Sequence, residues 1–270
     1  MARQEMYLME SPEEELRLEL KTDPEAVKQE ARWCGISPGM KIIHAGCGPG
    51  LVSSVLYEMV DPAGFVMGVD YSENRISYAR EHYWRRGKIE FVLCDLRQPL
   101  PFGQDFDLAW VRFLLEYNKS HVNQIVQNLD RVLRPGGLLC LLDLDNNCLV
   151  HYPLPDPLKV ALGKIMVALE RRHDFDPYVG RKLYALLYDL GYENIHVALK
   201  AHHLIYGQVR QQDFFNWMKK VEMVLRKEPS IIGQYPGGPS AFLADFNDFF
   251  SDPRRFTYTP MIMCKGTKPL

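Results

Sequence analysis

The feature that most restricts this chain is an alternation of short apolar runs with helical stretches between residues 41 and 142. Lys41–Ala45 is apolar and runs into Gly46-Cys47-Gly48-Pro49-Gly50, after which Leu51–Val60 is helical. Phe65–Val69 ends at Asp70 and leads to a helix over Asn74–Trp84. Ile89–Leu93 is a strand that ends at Cys94-Asp95. Phe106–Val111 reads as a fourth strand and His121–Leu133 as a helix. Leu138–Leu142 is a fifth strand after the Arg134-Pro135-Gly136-Gly137 turn. Strands alternating with helices at this spacing build βαβ units and a parallel sheet. Right-handed crossovers then put helices on both faces.

Two helices precede this region. Ser11 caps the first, Pro12 suits its first position, Glu14 is a capping-box partner, and Leu16 and Leu20 share one face. Asp23-Pro24-Glu25 starts the second, and Cys34-Gly35 stops it. Residues 1–40 are thus N-terminal helices, and residues 41–270 form one α/β domain. Beyond the fifth strand, 146–157 reads as a loop. Leu158–Arg171, Arg181–Leu190, Gln211–Arg226 and Ala241–Phe250 read as helices, and Ile195–Ile205 and Tyr258–Cys264 as strands. The last two strands belong to the same sheet, so no domain boundary falls at 146. Roughly 50 residues, about 207–257, separate them, far beyond an ordinary loop. With about 146–180, this insertion is expected to form a lid over the ligand site. Its Phe214, Trp217, Phe242, Phe246, Phe249 and Phe250 are expected to form core and to wall a pocket.

Composition limits the alternatives. The chain has 270 residues, 47% hydrophobic and 24% charged, with a formal net charge of −2. That suits a globular protein and argues against a nucleic-acid partner, which favours a basic face. None of the six cysteines forms a CxxC pair, so a reducing cytoplasm and no disulfide framework are expected. No secretory leader and no apolar run long enough to span a membrane are read. Oligomeric state is not legible.

The glycine loop lies between a strand and a helix. Glycines there permit positive φ and let a ligand approach the backbone, while the helix N-terminus offers free N–H groups. Leu51 stands where the dinucleotide fingerprint needs its third glycine, and no Lys-Ser/Thr pair makes a P-loop. Asp70, 20 positions after Gly50, can accept both hydroxyls of a ribose. Asp95 can receive an adenine amino group. Three strand ends therefore converge on one crevice.

His44-Ala45-Gly46-Cys47-Gly48-Pro49-Gly50, Val69-Asp70, Cys94-Asp95-Leu96, Phe106-Asp107-Leu108 and Leu133-Arg134-Pro135-Gly136-Gly137 together resemble the class I S-adenosylmethionine-dependent methyltransferases. The match covers roughly residues 35–145. Tyr7–Leu20 and Arg112-Phe113-Leu114-Leu115-Glu116 look like a small-molecule subgroup. The resemblance implies a Rossmann-like sheet of seven mostly parallel strands, the last antiparallel. It implies S-adenosylmethionine as cofactor, S-adenosylhomocysteine as product and a small-molecule methyl acceptor. Gly46, Cys47, Gly48 and Gly50 would lie along the methionine moiety and Asp70 with Tyr71 along the ribose. Asp95 and Leu96 would flank the adenine, and Arg112 and Phe113 would line the floor near the sulfonium. One departure stands out: His44 occupies the position where the family carries an acid that holds the ligand's amino group. A cationic imidazole there would repel the ligand. Two alternatives remain: a methyltransferase of protein or RNA, and a binding protein that keeps S-adenosylmethionine without turnover.

No catalytic base is assigned. Asp143, Asp145, Asn146 and Asn147 read as a loop satisfying its own backbone rather than a metal site. His202 and His203 sit on a strand, where alternation sends their rings to opposite faces.

Overall fold

The computed structural model describes residues 14–270. Ser11, Pro12 and the Tyr7–Glu13 part of the N-terminal resemblance lie outside them. Strands β1 (Lys41–Ala45), β2 (Phe65–Asp70), β3 (Ile89–Leu93), β4 (Phe106–Arg112) and β5 (Leu133–Leu144) pair in parallel in the order β3-β2-β1-β4-β5. Beyond β5 the sheet adds β6 (His151–Tyr152), β7 (Glu193–Tyr206) and β8 (Phe256–Thr267), with β8 antiparallel to all three of its neighbours.

The sheet therefore has eight strands, not seven. β8 runs past the end of β5: Leu144 pairs with Met261, which leaves Phe256 and Thr257 without a partner on that side. His151 and Tyr152 take that place, in a stretch whose prolines and asparagines read as loop.

Register decides where the ligand-facing residues go. Ala45 lies beside Val69 on β2 and Val111 on β4. Gly46, Asp70 and Arg112 each follow one residue later, so all three emerge at the same carboxyl edge. The Rossmann-like topology opens its crevice at this edge.

The two faces are packed as alternation requires. On one, Ile42, Val66 and Trp110 meet α2 (Pro24–Cys34), α3 (Leu51–Val60) and α4 (Glu73–Tyr83). Asp23 caps α2 through the N–H groups of Glu25 and Ala26, and Gly35 ends it at φ 95°. On the other face, Ile43, Val69 and Ala109 meet α5 (Val122–Val132) and α7 (Leu183–Asp189). A third apolar core joins α6 (Asp156–Arg172), α8 (Gln211–Lys227), α9 (Pro229–Ile232) and α10 (Gly238–Ser251). Phe242, Phe246 and Phe250 are fully buried in it, and each such ring contributes roughly 2–3 kcal/mol by leaving water. The helix α1 (Glu14–Lys21) packs against α8, and its Glu19 accepts hydrogen bonds from Tyr78 and Tyr83 of α4 at 3.0 and 2.6 Å.

His202 and His203 break the expected alternation. The β7–β8 register shifts between His202 and Ile205, and His203 has φ 51°. A bulge with a left-handed residue turns both side chains to one side, and their ring centroids lie 3.8 Å apart.

Candidate active site

The glycine loop owes its path to backbone freedom. Gly46 and Gly48 have φ of 69° and 56°, and a Cβ on Gly46 would lie 2.9 Å from Leu114 Cδ1. Asp70, buried at the end of β2, fastens the loop. Its Oδ2 accepts from Gly48 N at 3.0 Å and its Oδ1 from Ser72 N at 2.9 Å, with Arg75 Nη1 3.7 Å away. Ser72, not Asp70, caps α4.

A cleft with about 1360 Å³ of space, part of it open to solvent, lies over this loop. His44, Gly46, Cys47, Gly48, Asp70, Tyr71, Asp95, Leu96, Arg112 and Phe113 all line it. Gly50 does not. Its φ is 102°, and a Cβ there would lie 2.9 Å from Ala79 Cβ and Tyr83 Cδ2 and 3.0 Å from Phe91 Cζ. Gly50 lets α3 and α4 close on the sheet and, unlike the other glycines of the loop, does not line the cleft.

Asp95 is held by its own neighbour. Arg97 donates from its backbone N and Nε to Oδ1, and from Nη2 to Oδ2, all within 3.0 Å. Burial acts to raise the Asp95 carboxyl, but the Arg97 hydrogen bonds outweigh it and the group sits below its ordinary value. Arg112 donates from Nε to Glu30 Oε2 at 2.8 Å, and its guanidinium lies 4.1 Å from the Phe113 ring centroid. Lys200 Nζ donates to the other Glu30 oxygen at 3.2 Å. Glu30, 2% exposed on α2, thus offsets the cation on the cleft floor.

His44 is buried, with Nδ1 2.7 Å from Ser53 Oγ. Burial first, and the Arg112 guanidinium second, push its pKa down to about 3. The imidazole is neutral at physiological pH and adds no cation beside a ligand. This carries a pH dependence. In the unfolded chain a histidine titrates near 6.5, so below that pH the unfolded state gains a proton that folded His44 refuses. The stability attached to neutral His44 is complete above about pH 6.5 and is lost as pH falls toward 3. Urea titrations at pH 7 and pH 5 should show the wild type losing about 2 kcal/mol more than His44→Gln. Equal losses would place His44 outside this buried environment.

A second, smaller cavity lies between α6, α8 and α10, and Tyr117 lines both. The expected lid divides accordingly. From 146–180 only His173 and Asp174 reach the cofactor-sized cleft, and from 207–257 no residue lines it. The insertion walls the second cavity through Trp217, Lys220, Val221, Phe242 and Phe246. The cover over the first cleft comes instead from Leu18, Lys21 and Thr22 around the end of α1.

Between the cavities lies a buried polar seam. Asn147 Nδ2 donates to Glu116 Oε2 at 2.7 Å. Burial raises the Glu116 carboxyl, against the charge of Lys220 and the Asn147 hydrogen bond. Asp143 accepts from the backbone N–H groups of Leu115, Glu116 and Leu144, and burial together with Glu116 raises it well above its ordinary value. Asp145 pairs with Arg181 through both oxygens. These acids hold structure, and no cluster of three or more His, Cys, Asp or Glu among the described residues is placed to bind a metal ion.

Sequence reasoning missed Glu30, Arg75, Arg97, Lys200 and the α1 residues. Arg75 and Arg97 carried a usable signal, since each lies within five residues of a strand-ending acid. Glu30 lies 82 residues from Arg112 and carried none.

Comparison with known proteins agrees with this geometry. Residues 42–137 match a family model described as a methyltransferase domain. The chain is 31% identical over 113 residues to the ubiquinone/menaquinone biosynthesis C-methyltransferase UbiE of Pseudomonas entomophila, covering 40% of this chain and 43% of that protein. It thus spans less than half of the curated relative's length. A putative methyltransferase from Bacillus halodurans superposes with a TM-score of 0.57 at 18% identity, covering 91% of this chain and all of that one. A phosphoethanolamine N-methyltransferase from Haemonchus contortus, solved with phosphomonomethylethanolamine and S-adenosylhomocysteine, superposes at 0.55 and 15% identity, covering 92% and 52%.

Proposed function

We propose that the chain is a class I S-adenosylmethionine-dependent methyltransferase and that it moves a methyl group from S-adenosylmethionine to a small-molecule acceptor. The observation that carries this reading is the convergence of the Gly46–Gly48 loop, Asp70 and Arg112, from three adjacent strands, on one cleft. The residues fit the cofactor. The loop brings bare backbone to the cleft, and each Asp70 oxygen accepts only one backbone N–H, which leaves lone pairs for ribose hydroxyls. Neutral His44 can accept one hydrogen bond without repelling an ammonium.

When bound, S-adenosylmethionine supplies an electrophilic methyl on a sulfonium, and the protein's task is alignment and exclusion of water. Asp70 and Tyr71 hold the ribose end, Asp95 and Leu96 the adenine, and Phe113 forms the floor. Glu30 keeps Arg112 from presenting an uncompensated cation to the sulfonium. The α1 residues cover the cofactor, and the 207–257 insertion holds the acceptor in the second cavity. No general base is assigned. Six free thiols, four of them buried, suit a reducing cytoplasm, where we place the protein. No helix among the described residues is long and apolar enough to cross a membrane.

Asp70→Ala is expected to weaken S-adenosylhomocysteine binding by about ten- to a hundred-fold, as loss of charge-assisted hydrogen bonds requires. Unchanged affinity in calorimetry would remove Asp70 from the ligand. Turnover is tested by incubating the protein with methyl-labelled S-adenosylmethionine and a metabolite extract. Labelled product in the wild type, absent with Asp70→Ala, supports methyl transfer; cofactor binding without any labelled product across such extracts favours a binding protein.

A further inference from the structure

We propose that the second cavity receives the body of the methyl acceptor and that Lys220 selects an acceptor bearing an anionic oxygen on an apolar, ring-sized frame. This rests on the methyltransferase reading above and names its substrate class.

The cavity wall is almost entirely hydrocarbon. Leu162 and Ile165 come from α6, Val221 and Val224 from α8, and Phe242 and Phe246 from α10. An extended polar acceptor would leave its groups unpaired against these carbons, at a cost that excludes it. The polar groups in the lining are few: Tyr117, Asn147, Cys148, Lys220 and the indole N–H of Trp217, which is buried without a hydrogen-bond partner.

Lys220 is the charged member. Its Nζ lies 4.6 Å from the Trp217 ring centroid and 3.4 Å from Cys148 Sγ. Among the described residues no carboxylate stands within ion-pair distance of it. Glu116 is near enough to feel its charge, yet its Oε2 is engaged by Asn147. An ammonium has three donors, and a thiol and an aromatic face leave room for a stronger acceptor. A phenolate, enolate or carboxylate oxygen completes the set, while the carbon frame fills the space between α6, α8 and α10. Tyr117, common to both cavities, marks where the acceptor meets the cofactor cleft. The competing account is that Lys220 only packs on Trp217.

The probes are naphthalene, 2-naphthol and 2-naphthoate, titrated into protein saturated with S-adenosylhomocysteine and followed by calorimetry and tryptophan fluorescence. Naphthoate or naphthol should bind at least about ten-fold more tightly than naphthalene, and the two oxygen-bearing arms distinguish a carboxylate from an acidic hydroxyl. The preference should vanish in Lys220→Met, persist in Lys220→Arg, and leave naphthalene affinity within about two-fold. If Lys220→Met fails to fold, Lys220→Gln carries the same test. Equal binding of all three probes by the wild type, or a preference that survives loss of the ammonium, overturns the proposal. If S-adenosylhomocysteine binds and no lysine-dependent preference appears, this inference falls and the methyltransferase reading stands. If the preference appears but S-adenosylhomocysteine does not bind, the methyltransferase reading falls, and the acceptor role of the cavity with it.

Discussion

Gly50→Ala is expected to destabilise the folded chain by about 2–5 kcal/mol while leaving ligand affinity nearly unchanged. Two costs add. At φ 102° an L side chain meets its own backbone, and the new Cβ would sit 2.9–3.0 Å from carbons of Ala79, Tyr83 and Phe91. None of the three can retreat freely, because Ala79 and Phe91 are buried between α4 and β3. Urea denaturation should show a clearly lower midpoint, and the folded fraction should bind S-adenosylhomocysteine within about three-fold of wild type. A wild-type midpoint with weakened binding would return Gly50 to the ligand site.

Glu30→Ala should be comparably severe, about 3–5 kcal/mol, because it strips the buried partner from half-buried Arg112 and from Lys200. It also has a functional signature. The Arg112 guanidinium lines the cofactor cleft, and without Glu30 its charge would face the ligand uncompensated. S-adenosylmethionine, with a cationic sulfur, should then lose more affinity than S-adenosylhomocysteine, whose sulfur is neutral. Calorimetry of both ligands against both proteins reads the ratio. An unchanged ratio would mean that Arg112 does not sense the sulfur, whatever the stability change.

These two residues also show what a sequence reveals and what it hides. The strand–glycine loop–helix unit and the acids at successive strand ends were legible because each is local: a turn that needs positive φ, or a carboxylate one residue past an apolar run. Within that loop, however, Gly46 and Gly50 look alike. Only the packing of α3, α4 and β3 separates a glycine that serves the cleft from one that serves the core. Glu30 was invisible because its partner arrives from a distant strand. His202 and His203 were misplaced because period-two alternation assumes an unbroken ladder, and the bulge beside Ile205 breaks it. The eighth strand escaped because two residues in a proline-rich stretch carry no periodicity; β8 recruits them by offering an open edge. The insertion was found by its length and aromatic content, but its task was not. It builds a separate apolar chamber, and the first cleft is covered by α1 and the 173–174 turn.

The most direct test is a calorimetric titration of the wild-type chain with S-adenosylhomocysteine and, separately, with NADH. A cleft built from Gly46, Gly48, Asp70 and Asp95 for an S-adenosyl ligand should take up one S-adenosylhomocysteine per chain and give no binding heat with NADH. Saturable binding of NADH with none of S-adenosylhomocysteine would contradict it.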